Sequence, residues 1–224
     1  MERVAFATLG CKVNQYETEA MTELFKKSGY EIVDFDERAD VYVINTCTVT
    51  SFGDKKSRQM IRKARHKNQD AIIAVAGCYS QIAPDKVMEI PGVNVVIGTS
   101  DRDKIVDFIE EYKKSRTAVT HVENLMNIRK FEELDIGEYR GRTRALLKIQ
   151  DGSNRFCSYC LIPYARGPIR SRLPEKVINQ VKRLADSGFK EIILSGIHVA
   201  SYGVDLGDVN LVDIIGEIQH IDGI

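Results

Sequence analysis

The chain has 224 residues, and its 32 lysines and arginines balance its 32 aspartates and glutamates, so its formal net charge is zero. That balance excludes a uniformly basic coat for nucleic acid, although local basic patches remain possible. With 43% hydrophobic residues the chain can build a core, which excludes a disordered protein. Its length fits one large domain or two small ones.

Neither a membrane span nor a secretion signal is expected from the sequence. No stretch approaches the run of about 18 apolar residues that a membrane-spanning helix needs. The first residues, MERVAFATLG, lack the layout of a signal peptide and continue into a strand pattern. We therefore expect a cytoplasmic protein with no membrane partner.

The first half of the chain alternates short apolar runs with amphipathic stretches, which predicts strands and helices in turn. The predicted strands cover residues 4–8, 41–45, 71–75 and 93–97. The predicted helices cover residues 16–28, 51–67, 84–89 and 101–114. Because these strands are apolar on both faces, we expect an α/β domain over residues 1–115, with a parallel sheet flanked by helices.

Residues 116–143 are polar and irregular, and we expect a linker with some extended structure there. A second β/α series follows, with strands at 145–149 and 191–194, loops at 151–167 and 195–207, and helices at 174–187 and 211–220. Two such units cannot close an eight-stranded barrel, which needs about 250 residues. We therefore expect residues 144–224 to be the first, truncated part of a (β/α) barrel in a longer protein.

Three of the five cysteines, Cys11, Cys47 and Cys78, each follow a predicted strand. The carboxyl ends of parallel strands meet at one edge of a sheet, where ligands bind. The three thiols are therefore expected at a shared site, which could hold zinc with an open fourth position or an iron–sulfur cluster. The alternative is three separate buried cysteines, a common core residue.

The other two cysteines, Cys157 and Cys160, lie in the predicted loop after the first strand of the second series. Taken alone, this Cys-x2-Cys pair fits half a zinc site or a redox pair. An odd number of cysteines in a cytoplasmic chain argues against a disulfide framework and favours metal, cluster or redox chemistry.

The loop sequence GSNRFCSYCLIPYARG resembles the cluster loop of the radical S-adenosylmethionine (SAM) methylthiotransferases, whose pattern is Cys-x3-Cys-x2-Cys followed by a proline-containing run and Arg-Gly. The segments TLGCKVN, NTCTVT and AGC resemble the three cysteine motifs of the same family's N-terminal domain. These matches run in the family's order from near residue 1 to about residue 207.

The resemblance implies an N-terminal cluster-binding domain at 1–115, a linker at 116–143 and the first part of a radical SAM barrel at 144–224. It implies two [4Fe-4S] clusters, one on Cys11, Cys47 and Cys78, and one on Cys157, Cys160 and the first position of the triplet. It also implies SAM as a cofactor, with Tyr159 near the adenine and Ser195-Gly196 near the amino group. Simple loop packing is the alternative for Tyr159, and a strand-to-loop turn is the alternative for Ser195-Gly196. The resemblance identifies no catalytic side chain.

One position departs from the family pattern, because the first cysteine of the triplet is Ser153 here. A serine hydroxyl is harder and much less acidic than a thiol, so we expect it to hold iron weakly and regard it as a doubtful ligand. The departure predicts a labile or altered cluster and impaired SAM cleavage.

The motifs look most like the branch that transfers a methylthio group to C2 of threonylcarbamoyladenosine next to the tRNA anticodon. The branches that act on isopentenyladenosine in tRNA and on an aspartate of a ribosomal protein are the alternatives. The implied partners are the tRNA anticodon stem-loop and an electron donor such as flavodoxin or ferredoxin.

Two basic clusters stand out in this neutral chain, and each could hold a phosphate backbone. One is residues 55–67, which carry seven lysines and arginines and no acid; an ordinary solvated helix face is the alternative for this cluster. The other surrounds the second cysteine loop, where RNA or substrate contact is expected for Arg140, Arg142, Arg144, Lys148, Arg155, Arg166, Arg170 and Arg172. Arg155 and Arg166 could instead tune the cluster or bind the SAM carboxylate.

Two other kinds of protein remain open at this stage. One is a zinc- or cluster-binding RNA module without catalysis, which Ser153 and the truncated barrel favour. The other is a thiol-redox protein that uses Cys157 and Cys160, but it leaves the first three cysteines unexplained.

Overall fold

The computed structural model describes residues 1–48, 51–134, 136 and 144–224, and for residues 51 and 52 the backbone alone. Val49 and Thr50 of the NTCTVT segment therefore lie outside the described residues. The chain divides into two units, Met1–Asn124 and Leu125–Ile224. In the described part of the chain, no helix is long and apolar enough to cross a membrane.

The first unit is a parallel sheet flanked by helices, which confirms the predicted fold class. Its strands are β1 (Arg3–Thr8), β2 (Glu31–Val33), β3 (Val41–Thr46), β4 (Ile72–Gly77), β5 (Val93–Ile97) and β6 (Val119–His121). Its helices are α1 (Lys12–Lys27), α2 (Ser51–Lys67), α3 (Cys78–Ile82), α4 (Pro84–Met88) and α5 (Ile105–Ser115), with a 3-10 turn at Arg102–Lys104. The strand order is β2-β1-β3-β4-β5-β6, and every neighbouring pair is parallel.

The sheet is covered on both faces, as the continuous apolar runs predict. β3 and β4 are buried along their whole length. Successive residues of β3 point to opposite faces: Ile44 packs in one core with Ile61 of α2, and Val43 packs in a second core with Phe25 of α1. Burying each such side chain contributes about 1.5–3 kcal/mol to the stability of the fold. This burial fixes the central strands in the sheet, and with them the residues that follow the strand ends.

The predicted linker contributes to both units. β6 pairs with β5 and extends the first sheet, and Glu133 forms an ion pair with Arg172 of the second unit at 2.8 Å. The first compact unit therefore extends to Asn124. Within this segment, residues 135 and 137–143 lie outside the described part of the chain.

The second unit contains the β/α series that the sequence predicts. Its elements are β7 (Arg144–Asp151), α6 (Ile162–Arg166), β8 (Arg170–Ser171), α7 (Pro174–Asp186), β9 (Glu191–Gly196) and α8 (Leu211–Ile218), with 3-10 turns at Leu125–Asn127 and Val199–Ser201. β7 is parallel to β9 and antiparallel to the short β8. Leu184 of α7 packs with Ala145 of β7 and with Phe189, so α7 covers the sheet between its two parallel strands.

Candidate functional site

The three cysteines of the first unit lie at the carboxyl edge of three adjacent strands. Cys11 follows the end of β1 and is the N-cap of α1, Cys47 follows β3 directly, and Cys78 follows β4 and begins α3. The sheet order places β3 between β1 and β4. The order reverses between β1 and β3, and such a reversal opens a crevice at the carboxyl edge of the sheet. Cys11 is exposed, Cys47 is half-buried and Cys78 is buried.

Gly10 brings the loop before α1 into contact with Cys47. Its φ is +103°, and a Cβ at this position would lie 2.7 Å from Cβ and 3.0 Å from Sγ of Cys47. A side chain at residue 10 would therefore be strained and would displace Cys47. The motif Leu-Gly-Cys thus has a steric reason, because only glycine lets the first cysteine segment lie against the second.

A buried amide network that the sequence analysis did not single out holds this edge together. Asn14 donates from Nδ2 to the carbonyls of Leu9 at 2.8 Å and Thr46 at 2.9 Å, and so ties the end of β1 to the end of β3. Asn45 donates from Nδ2 to the Asn14 carbonyl at 2.9 Å. Both asparagines are fully buried. The signal in the sequence is the asparagine three residues after Cys11 and the one two residues before Cys47.

The same edge carries one group of metal-type ligands with no cysteine in it. Among the described residues, ligand atoms of Asp101, His121 and Glu123 lie within 4.8 Å of one another. Asp101 already accepts from Lys104 at 2.6 Å and contacts His121 Nε2 at 3.1 Å. Burial raises the pKa of Asp101, but the hydrogen bonds from Lys104 and His121 outweigh it and hold that pKa below its usual value. Asp101 is therefore already engaged by Lys104 and His121.

In the second unit, the cysteine loop rises from a stem formed by its two ends. Asp151 pairs with Arg170 as β7 pairs with β8, the Ser153 amide donates to the Gly167 carbonyl at 2.9 Å, and Ile169 N donates to Asn154 Oδ1 at 3.0 Å. The loop tip is open to solvent: Cys157 is exposed and Cys160 is half-buried.

Ser153 and the two cysteines occupy different surroundings. Ser153 is 7% exposed and lies in the stem, where its Oγ accepts a hydrogen bond from the Arg155 amide at 3.2 Å. The Cys160 amide donates to the Cys157 carbonyl at 3.0 Å, which closes a turn between the two thiols. No hydrogen bond joins Ser153 to either cysteine in the described part of the loop.

A cluster of buried charges fixes the stem. Asp151 lies 2.6 Å from Lys148 Nζ and 3.6 Å from guanidinium nitrogens of both Arg166 and Arg170. All four side chains are at most 4% exposed. Asp151 Oδ1 also accepts from the Gly152 amide at 2.8 Å. One carboxylate thus binds both ends of the cysteine loop.

Burial corrects the expectation of RNA contact for four of the eight members of the second basic cluster. Lys148, Arg166, Arg170 and Arg172 are at most 4% exposed, and their charges serve the ion pairs inside the unit. Arg144 is exposed but pairs with Glu191 at 2.7 Å. Arg155 remains exposed. Arg140 and Arg142 lie outside the described residues.

The predicted SAM contacts are brought together only in part. Ser195 is buried and Gly196 ends β9. Gly196 is paired with Gln150 of β7. Gln150 Nε2 donates to the carbonyls of Asp151 and Gly152 at 2.7 and 2.8 Å, so the end of β9 meets the base of the cysteine loop. Tyr159, by contrast, is 88% exposed and is not close-packed with this base.

Comparisons with known proteins agree with these features. A family model described as "Uncharacterized protein family UPF0004" matches residues 3–98. The chain is 53% identical over its whole length to a protein of Bacillus subtilis named threonylcarbamoyladenosine tRNA methylthiotransferase MtaB, of which it covers 50%. It is 42% identical to the Aquifex aeolicus protein of the same name, with 99% of this chain and 54% of that protein covered.

A related name appears at lower identity. A Moorella thermoacetica protein named tRNA-2-methylthio-N(6)-dimethylallyladenosine synthase is 36% identical, with 97% of this chain and 50% of that protein covered. The chain thus spans about half the length of the curated relatives it matches.

A solved structure shares the fold. The radical SAM methyltransferase TsrM from Kitasatospora setae matches with a TM-score of 0.56 at 16% identity, covering 88% of this chain and 48% of that one. The fold and the matches along the whole chain agree with the resemblance carried by the cysteine motifs. Over its whole length, the chain is similar to proteins named as tRNA methylthiotransferases.

Proposed function

We propose that this chain forms the part of a tRNA methylthiotransferase that carries the family's cysteine sites, and that the enzyme acts on threonylcarbamoyladenosine next to the anticodon. The observation that carries the proposal is the placement of Cys11, Cys47 and Cys78 at the ends of three adjacent parallel strands. The choice of substrate is supported by the relatives named for it, which reach 53% identity, against 36% for a relative named for dimethylallyladenosine.

The donor set at the first edge fits an iron–sulfur cluster better than a single zinc ion. Three thiolates on one tetrahedral zinc ion, each at about 2.3 Å, would lie about 3.8 Å apart. Among the described residues, no three cysteine sulfurs lie within 4.8 Å of one another. A four-iron cluster binds each thiolate through a different iron atom and so accepts a wider spacing.

Bound at this edge, a cluster with three protein ligands supplies one iron atom open to exogenous sulfur. The chain's own residues position the thiols. Gly10 lets the Cys11 segment reach Cys47, and Asn14 holds the β1 and β3 ends at a fixed separation. Burial of Cys78 keeps water from one side of the site.

The second cysteine loop does not fit the three-thiolate pattern. It offers the thiols of Cys157 and Cys160, but its third position is the buried hydroxyl of Ser153, which is already an acceptor for the Arg155 amide. A neutral hydroxyl is a weak ligand for iron. We therefore derive no radical step for this chain as it stands.

The two roles fall on the two units. We assign cluster binding to the first unit, and the first part of the SAM barrel to the second. Ser195 and Gly196 are suited to contact SAM because Gln150 connects the end of β9 to the base of the cysteine loop. Tyr159 is exposed, so its proposed stacking on adenine needs a bound SAM or substrate to bury it. An electron donor such as flavodoxin or ferredoxin and a cytoplasmic location stay predictions.

The cluster assignment can be tested by anaerobic reconstitution with iron and sulfide, followed by visible absorption. The unaltered chain should turn brown and bleach in air. Cys47→Ala should lose the colour, while Cys157→Ala, made as a matched control, should retain most of it. The proposal would be contradicted if the chain stayed colourless, bound zinc stoichiometrically and did not change on exposure to air.

The reaction can be tested with a chimera in which this chain replaces the corresponding half of the Bacillus subtilis relative. With Ser153→Cys, we expect a methylthio product on tRNA that carries threonylcarbamoyladenosine, detected by mass spectrometry, and none on tRNA that carries isopentenyladenosine. With Ser153 retained, we expect no product. A product from the Ser153 chimera, or a product only on isopentenyladenosine, would contradict the account.

A second candidate function is a cluster-binding RNA module without catalysis. Ser153 favours it, because this chain provides two thiols where the family pattern has three. It predicts that RNA binding and the first cluster persist in the unaltered chain while SAM is never consumed. Methylthio transfer by the unaltered chain would exclude it.

A further inference from the structure

One side of α2 carries a row of basic side chains that face solvent. Lys55, Arg58, Arg62 and Arg65 recur at helical spacing and form a line along the helix, here called the open stripe. Lys55, Arg62 and Arg65 are exposed and Arg58 is half-buried. From Lys55 to Arg65 the stripe is about 15 Å long, at 1.5 Å per residue.

The open stripe is not neutralised within the chain. In the described residues, no carboxylate lies within ion-pair distance of its four members; the one acidic residue of α2, Asp54, accepts from Thr48 at 2.7 Å. Lys63 and Lys67, on the other flank of the same helix, both pair with Asp36, at 2.6 and 3.4 Å. One helix thus carries an open stripe and a paired flank side by side.

The stripe leads to the cysteine edge. Arg58 Nη1 donates to the Tyr79 hydroxyl at 3.2 Å, and Tyr79 is the residue after Cys78. That bond leaves the charge of Arg58 uncompensated, because a phenol is neutral. At the other end, the aliphatic part of Arg65 packs over Gly92, where an added Cβ would lie 2.8 Å from Arg65 Cδ. The stripe is therefore held in place at Arg58 and at Arg65.

The chemistry of the stripe fits a polyanion rather than a folded protein partner. Protein interfaces have apolar or aromatic centres, and no large apolar side chain of α2 is exposed among residues 53–67. A nucleic-acid strand advances about 3.4 Å per nucleotide along a duplex axis, so the stripe can follow up to about four phosphates. The neutral net charge of the chain makes this a local feature.

We infer that the open stripe binds the phosphate backbone of the RNA substrate and guides it to the cysteine edge. The inference rests on the proposed function, because it takes the substrate to be RNA. To the proposed function, the inference adds the surface that binds this RNA. From sequence alone, the basic residues of this helix fitted a solvated helix face equally well. Four of the eight members of the second basic cluster are buried, so the stripe is the stronger of the two predicted RNA contacts.

The test compares two variants that each remove two positive charges from α2. Lys55→Gln with Arg62→Gln alters the open stripe, and Lys63→Gln with Lys67→Gln alters the paired flank. The probe is a synthetic tRNA anticodon stem-loop, and the dissociation constant is measured by fluorescence anisotropy over a range of salt concentrations. Thermal melting followed by circular dichroism verifies that both variants fold. We expect them to fold because the substituted residues are exposed.

The open-stripe variant should bind about tenfold or more weakly at low salt, and the slope of log Kd against log salt should fall by about 1.5–2. The paired-flank variant should change Kd by less than about threefold. Equal weakening in both variants, or an unchanged salt slope in the first, would overturn the inference. So would polyglutamate binding as tightly as the RNA, because the stripe would then be an acidic-protein site.

The cluster proposal and the inference about the open stripe can be refuted independently of each other. The RNA measurement uses the chain without iron, whereas reconstitution uses no RNA. Loss of iron binding with an intact stripe effect would refute the cluster alone, and a normal cluster with no stripe effect would refute this inference alone.

Discussion

The ammonium of Lys148 lies 2.6 Å from a carboxylate oxygen of Asp151, and both side chains are almost completely buried. Arg166 and Arg170 approach the same carboxylate at 3.6 Å. A buried ion pair adds little net stability, but removing one partner leaves the other charge uncompensated. Three bases approach this one carboxylate, so its loss disturbs three buried contacts at once.

Asp151→Asn should therefore destabilise the second unit strongly. The substitution keeps the shape of the side chain and removes its charge, and we expect a loss of about 3–5 kcal/mol in the free energy of unfolding. Urea denaturation measures it, and limited proteolysis should show faster cleavage within the cysteine loop.

Arg144→Gln is the control for that experiment. It breaks the exposed pair with Glu191 and should cost no more than about 1 kcal/mol. If Asp151→Asn costs as little as Arg144→Gln, the buried charge cluster does not hold the loop.

Gly10→Ala tests the contact between the first two cysteine segments. The positive φ costs roughly 1–2 kcal/mol for a residue with a Cβ, and the clash with Cys47 adds about 1–3 kcal/mol. We expect a large loss in unfolding free energy and fewer iron atoms bound per chain, because Cys47 must move.

Gly29→Ala is the control that separates the cost of backbone strain from the cost of the clash with Cys47. Gly29 also has a positive φ, +84°, but an added Cβ meets nothing within 4 Å. It should show the strain cost alone and bind iron normally. Equal iron loss in both variants would mean that backbone strain, and not contact with Cys47, explains the result.

The second unit should lose stability in strongly alkaline solution through Tyr202. Burial, together with nearby Asp205 and Glu217, raises the pKa of Tyr202 from 10 to about 12, although Arg172 opposes the shift. Because the folded state favours the neutral phenol, its contribution is complete below pH 10 and is lost as the pH rises from 10 to about 12.

The difference between the unaltered chain and Tyr202→Phe isolates this effect. The stability lost over that pH range in urea denaturation should be smaller in the variant, even though the variant also lacks the hydrogen bond from the hydroxyl to the Arg172 carbonyl. Identical pH profiles would show that Tyr202 does not titrate in this range.

The sequence predicts the central strands well because their patterns are local. The runs before Cys11, Cys47 and Cys78 are apolar on both faces, which identifies buried parallel strands without knowledge of their neighbours. β2, β6 and β8 have only two or three residues and exist through pairing with a neighbouring strand. No periodicity can develop over so short a span, so sequence patterns miss them.

The position of the first three cysteines after strands could be predicted from the sequence, whereas the contacts that support them could not. Cysteine spacing located the two cysteine groups, but nothing in the pattern shows that Asn14 would bridge two strands or that Asp151 would gather three bases. The arginines near the second loop look like an RNA surface in sequence. Only their pairing across the loop stem, a contact between distant residues, shows that Arg166 and Arg170 are buried.

The most direct test of the account is iron per chain after anaerobic reconstitution, measured for the unaltered chain and for Ser153→Cys. We expect about four iron atoms in the first and about eight in the second, since Ser153→Cys restores the third thiolate of a second four-iron site. About eight in both would contradict the role given to Ser153. If both proteins bind no iron and bind zinc stoichiometrically instead, the methylthiotransferase account itself is contradicted.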